Sequence, residues 1–305
     1  MKPIKLLLSL LIASVVLTSC FEDNNHDIEE PYYTLEDVVT EYEIWYVNIH
    51  KSSAASDVPF VANAFTLSFI NGRLYANNNL VGFGTSGSDY GIQIGTYNTN
   101  TGYLRVNHLN DGSYEFEVTE LSNGDIELYN SYNDASYVLE GYSTSTLNWD
   151  KIFYENIEYF LQEYDVWAKT GTSIEGELNT FDDENFLSFT PEDVTSFYSS
   201  QSKVGTTIAN IFWNYNGSYS VADYSNEAFL KELTLYYSDG DTEVFELFID
   251  TDQEIELYHI NSETTYYFEG LGFIQYKKKT STVQKLRKRT KVKRVQKVRT
   301  QRHIN

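Results

Sequence analysis

Cysteine occurs once in the 305 residues, methionine once and proline four times. A single Cys20 cannot close a disulfide within the chain, so the folded body has to be held by apolar burial alone. Catalytic signatures are equally scarce. There is no P-loop, no H-E-x-x-H and no G-x-G-x-x-G at a strand end, and "GTSGSDYG" (Gly84 to Gly91) fails the spacing of a nucleophile elbow. The five histidines (His26, His50, His108, His259, His303) stand far apart with no cysteine beside them, which argues against zinc. Basic residues are almost missing from the body. Between Glu22 and Glu269 only seven oppose all 44 acidic residues, giving −37, and two in the leader with thirteen after Tyr276 restore the net −22. So acidic a body repels nucleic acid and anionic headgroups.

What is present begins with Lys2 and Lys5 around an apolar segment from Ile4 to Leu17, too short to span a bilayer and built like a secretory signal. Leu17-Thr18-Ser19-Cys20 resembles the bacterial lipobox. That resemblance implies cleavage before Cys20, lipidation of its thiol and anchoring of a soluble body to the outer membrane, facing periplasm or cell surface. The acidic "FEDNNHDIEEP" that follows reads as a solvated tether. Glu22 and Asp23 resemble the surface-export signals of Bacteroidota lipoproteins.

Aromatic residues make up 16% of the chain, led by 26 tyrosines and 18 phenylalanines, a β-rich composition. Alternating apolar and polar side chains predict strands near 43–49, 64–70, 73–78, 91–98, 102–109, 114–121, 125–131 and 136–142. Asn71-Gly72, Asp111-Gly112 and "SNGD" (Ser122 to Asp125) supply hairpin turns between them, which makes an antiparallel meander. The pattern then returns. "DIELYNSYNDASYVLEG" (from Asp125) matches "EIELYHINSETTYYFEG" (from Glu254) at an offset of 129, and Leu104, Val106 and Phe116 meet Leu233, Leu235 and Phe245 at the same offset. "EYEIW" (from Glu41) meets "EYDVW" (from Glu163) at 122. Leu35, Val38, Val39 and Tyr42, like Ile157, Phe160, Leu161 and Tyr164, fall on one helical face, so a short helix leads into each copy. The expected organisation is a signal peptide (1–19), a lipidated tether (20–32), two all-β domains (33–147 and 148–276) and a basic tail (277–305). Closed barrels and sandwiches would both give this alternation.

A helix and a tryptophan-bearing strand opening an eight-strand meander look like the lipocalin-like domains of Bacteroidota lipoproteins. Glu43 and Asp165 stand where the lipocalin pattern has glycine. Through "EIWYVNIHK", "NGRLYANNNLVG", "FLQEYDVW", "ENFLSF", "IELYH" and "GFIQY", residues 1–276 resemble a family of uncharacterised flavobacterial lipoproteins. Its members are sometimes labelled nicotinic acid mononucleotide adenylyltransferases, an activity that implies an H-x-G-H motif on a parallel α/β sheet. Neither feature is in this chain.

The recurrence of Trp45, Trp167, Tyr129 and Tyr258 in both copies predicts core positions, and His108 and His259 are expected at strand ends, exposed or half-buried. Trp149 and Trp213 have no counterpart and are the candidates for stacking on a ligand such as a glycan. Asp250, Asp252 and Glu254 place oxygen ligands on alternate positions of a tight loop, a set suited to calcium; "SDGDTE" (from Ser238) is a weaker case. No other cofactor is expected. These features lead to a non-enzymatic binding or structural lipoprotein whose ligand is a glycan, a peptide or a small apolar molecule. A saccharide hydrolase working through paired carboxylates is the alternative. The tail begins where the strand pattern stops, and its thirteen like charges predict an extended segment foreign to the fold.

Overall fold

A computed structural model describes residues 33–84, 89–190, 195–274 and 294–298. The leader, Cys20 and most of the tail lie outside them. From Leu35 onward the described residues form one unit. Helix α1 (Leu35–Thr40) carries Glu36 and Asp37 in its first turn, where the helix dipole favours acids, and buries Val38 and Val39. It leads into β1 (Ile44–Ala54), β2 (Thr66–Ile70), β3 (Arg73–Asn77), β4 (Ile92–Asn98), β5 (Leu104–His108), β6 (Gly112–Glu120), β7 (Ile126–Asn130) and β8 (Ala135–Tyr142). Each strand pairs antiparallel with the next, and β8 returns to β1 to close an eight-stranded barrel. The β2–β3 turn needs two left-handed residues, and Asn71 (φ 49°) with Gly72 (φ 75°) supplies them.

After helices α3 (Trp149–Glu155) and α4 (Ile157–Leu161) the architecture repeats. The second barrel runs through β9 (Tyr164–Thr172), β10 (Phe186–Thr190), β11 (Ser196–Ser200), β12 (Tyr215–Tyr224), β13 (Glu227–Tyr237), β14 (Thr242–Thr251), β15 (Glu254–His259) and β16 (Thr264–Phe273). β16 pairs with β9, and β11 with β12, so the ring is complete. Register is conserved between the copies to the residue. Leu104 faces Phe116 as Leu233 faces Phe245, and Leu128 faces Tyr137 as Leu257 faces Tyr266. A one-residue slip would turn every one of these side chains outward, so the common register records a common core.

One set of contacts joins each helix to its barrel. The indole N–H of Trp45 donates to the carbonyl of Val39 (2.8 Å), and that of Trp167 to Leu161 (3.0 Å). Both indoles are wholly buried. Beside each lies a tyrosine ring, Tyr42 at 5.1 Å and Tyr164 at 4.8 Å between centroids, nearly edge-on. Each tyrosine covers the glycine paired with the tryptophan, Trp45 with Gly141 and Trp167 with Gly270. A Cβ on Gly141 would meet the Tyr42 ring at 2.2 Å, and on Gly270 the Tyr164 ring at 2.6 Å. Only hydrogen fits there.

The connection after the first strand of each barrel folds back as a stopper. In the first barrel helix α2 (Pro59–Ala62) inserts Phe60, stacked on His108 at 5.3 Å, and the Val58 N–H donates to Tyr137 Oη. In the second, a 3-10 turn (Thr180–Asp183) held by a reciprocal cap between Asn179 and Asp182 inserts Phe181 against Phe245 (4.7 Å) and Tyr266 (4.9 Å). Neither stopper was expected, because four residues are too few to show a period.

The barrels share a buried junction. Phe65 and Leu80, from the first, belong to the apolar cluster that contains Trp167 and Phe160. The Glu163 carboxylate, fully buried, accepts the N–H groups of Leu80 (2.6 Å) and Val81 (2.9 Å). Helix α3 covers the outward face of β1 at its start, where Ile44 and Tyr46 meet Leu147 and Ile152, so residues 44–47 are buried on both faces of the strand.

Two expectations need correction. Tyr129 and Tyr258 are half-buried and face outward, because their neighbours Leu128 and Leu257 take the inward positions of the pleat. Residues 294–298 of the tail do not stand apart from the fold: β17 (Gln296–Lys297) pairs in parallel with β12. Gly141→Ala and Gly270→Ala should each destabilise the protein by about 1–3 kcal/mol through overpacking, read as a lower urea midpoint at unchanged m-value. Equal stability of either variant with the parent would mean that the tyrosine does not hold its place.

Candidate functional site

The interior of the first barrel is apolar, from Trp45 through Leu74 and Leu104 to Phe116. The second departs from it at the stopper end, where inward positions carry charge. Lys169 lies on β9 two residues beyond Trp167, in the same pleat orientation, and is 7% exposed. Its Nζ donates to the Asp182 carbonyl (2.5 Å) and sits 5.5 Å above the Tyr266 ring. Burial holds this ammonium below the usual lysine range, against the attraction of Asp182, Asp183 and Glu184.

Glu184 follows the 3-10 turn and is 5% exposed. Its Oε2 accepts from Ser199 Oγ and from Tyr237 Oη (2.7 Å). Burial pushes the carboxyl up to about 7, and these two hydrogen bonds only partly oppose the shift. Tyr237 is pushed far upward, first by burial and then by Glu184. At the equivalent of Lys169 the first barrel has Val47, and at the equivalent of Tyr237 it has His108. The charge was therefore added to one copy or lost from the other.

A second polar chain runs beside it. His259 Nε2 lies 2.7 Å from Glu243 Oε2, and its Nδ1 lies 2.7 Å from Ser262 Oγ. In the tautomer that carries its hydrogen on Nε2, the ring donates to the Glu243 carboxylate. The order Ser-His-Glu is that of a nucleophilic triad, but the geometry serves another purpose. Ser262 Oγ also contacts Thr264 Oγ1 (3.0 Å) and accepts from Asn179 Nδ2 (2.9 Å), and Ser262 and His259 are 5% and 3% exposed. The hydroxyl is engaged on every side and no substrate carbonyl could reach it. The chain pins the β15–β16 turn to the Asn179 cap of the stopper.

The residues singled out in the sequence do not converge. Trp149, half-buried at the start of α3, meets Phe83 edge-on at 4.7 Å and lies over Gly84. Trp213 packs with Val166 and Phe186 on the outer face of β9 and β10, 6.0 Å from Tyr198. The two indoles belong to separate apolar clusters and do not meet. Asp250, Asp252 and Glu254 do not gather as ligands: Asp252 Oδ2 accepts the Gly82 N–H (3.0 Å), and Glu254 Oε2 accepts from Thr251 Oγ1 (3.1 Å). Among the described residues no three His, Cys, Asp or Glu side chains are grouped to hold a metal ion. His259 is fully inside rather than exposed or half-buried. Glu184, just before β10, and Lys169 on β9 were missed, since a single acid or base among apolar and polar neighbours carries no signal of its own.

These features define a tandem pair of closed, plugged eight-stranded antiparallel barrels. No protein-family model and no curated protein matches the chain.

Glu184 is the most informative titration. Its folded pKa of about 7 lies above the ordinary 4.5, so the stability it contributes is complete below pH 4.5 and is lost as pH rises through 7. Glu184→Gln keeps an acceptor for Ser199 and Tyr237 and removes the buried charge. It should stabilise the protein by about 1–3 kcal/mol at pH 8 and leave it nearly unchanged at pH 4. Thermal melts of both proteins across this range test it, and a variant less stable than the parent at pH 8 would contradict it.

Proposed function

We propose that the protein is a lipoprotein of the bacterial cell envelope, anchored by lipid on Cys20 in the outer membrane, whose two barrels form a non-enzymatic binding or structural module. The observation that carries this reading is the filling of both barrels. An eight-stranded barrel is just wide enough to be filled by side chains or to hold one small ligand, and here Trp45 and Phe60 in one, with Trp167 and Phe181 in the other, occupy the interior. A partner would therefore meet outer surfaces and rims. The lipobox at Leu17 to Cys20 supports the anchor, and the acidic body supports partners other than nucleic acid. Among the described residues no helix is long and apolar enough to cross a membrane.

The anchor can be tested by expressing the full chain in a diderm bacterium fed an alkyne fatty acid. The parent should take up the label and sediment with the envelope, whereas Cys20→Ser should remain unlabelled. An unlabelled parent found in the soluble periplasmic fraction would overturn the proposal.

A further inference from the structure

Barrel closure between β11 and β12 covers only part of β12. Residues 215–218 pair with β11, while the other end of the strand is free of β11 along that edge. An uncovered edge is a template for another strand. Here Val295 and Lys297 fill it, their carbonyls accepting the N–H groups of Asp223 (3.1 Å) and Ser225 (2.7 Å).

The edge ends beside an acid that the second barrel itself leaves uncompensated. Glu158 on α4 is 0% exposed, and among the described residues neither of its carboxylate oxygens receives a hydrogen bond. Arg294 Nη2 stands 3.2 Å from it and His50 Nε2 3.8 Å. Burial raises its carboxyl above the usual range, and Arg294 is the largest influence in the other direction. The guanidinium is also held by Asp223 Oδ1, 3.7 Å from Nη2, and by carbonyls at the end of α3, where helix carbonyls lack internal partners: Nη1 donates to Glu155 O (2.5 Å) and Nη2 to Tyr154 O (3.0 Å). Three residues on, Lys297 Nζ pairs with Glu232. A planar fork met by a buried acid and two carbonyls is recognition that lysine could not reproduce.

We propose that the open edge of β12, with Glu158 at one end and Glu232 at the other, is a binding site for an extended Arg-x-x-Lys peptide strand, occupied in this chain by its own residues 294–298. The backbone ladder supplies affinity, the arginine fixes register, and the lysine fixes direction. A tethered strand at high local concentration keeps the site closed until a partner strand of the same pattern competes with it. The site is independent of lipidation, so it can fail or hold whatever becomes of Cys20.

A fluorescent peptide of sequence KRVQKVR, titrated by anisotropy at physiological salt, tests the site in the full chain. Arg294→Glu with Lys297→Glu disarms the tethered strand, and this variant should bind the peptide at least tenfold more tightly than the parent. Adding Glu158→Gln should reverse the gain. A scrambled peptide of equal charge should bind no better to the disarmed chain than to the parent. Equal binding of both peptides would reduce the effect to attraction by an acidic surface and overturn the proposal, as would indifference to Glu158→Gln. Hydrogen exchange gives a second readout that needs no added peptide. The amides of Asp223 and Ser225 should be protected in the parent and exchange at least tenfold faster in the disarmed chain; equal rates would also overturn it.

Discussion

Two indole N–H groups, each bound to the last turn of the helix before it, set the geometry of everything downstream. A buried donor has to find an acceptor, and the final carbonyls of a helix are acceptors without internal partners. Joining Trp45 to Val39 and Trp167 to Leu161 satisfies both needs at once and fixes the angle at which each helix meets its first strand. The tyrosine three residues earlier then closes over a glycine on the last strand, so one local contact joins the beginning of each barrel to its end. Meanders are assembled from neighbours in sequence, and the first-to-last pairing is the one step that spans a whole module. Trp, Tyr and Gly recur in both copies at the step with the greatest loop-closure cost.

The copies agree where they must close and differ where they meet other groups. Glu163 is buried at the junction and holds two N–H groups of the first barrel, while its repeat partner Glu41 is exposed. Glu43 accepts the Thr144 N–H and hydroxyl, bracing the turn after β8, and its repeat counterpart Asp165 packs against Gly272. The polar end of the second barrel is the largest divergence. A buried lysine and a carboxyl titrating near neutrality cost stability that an apolar pair would not, so the first barrel has the cheaper solution.

The meander, its turns and its duplication were legible because they rest on period-two alternation sustained over many residues. Strand limits read from the pattern agree with β1 to β8 within a few residues except at the far end of β1, which runs to Ala54. Closure was not legible, since a sandwich has the same alternation as a barrel. Tyr129 and Tyr258 show the limit of recurrence as a guide: a residue kept in both copies can face outward. The acidic loop from Asp250 to Glu254 looked like a ligand set because spacing in sequence says nothing about whether an oxygen already has a partner. Arg294 and Glu158 could not be paired from sequence, lying far apart in segments that share no pattern.

The common interior formed around Phe65 and Leu80 makes the first barrel incomplete by itself. A chain cut between the barrels would strip those two apolar side chains of Trp167 and Phe160 and leave a sticky face in their place. The halves are repeats in sequence, yet neither is a free-standing unit in its packing.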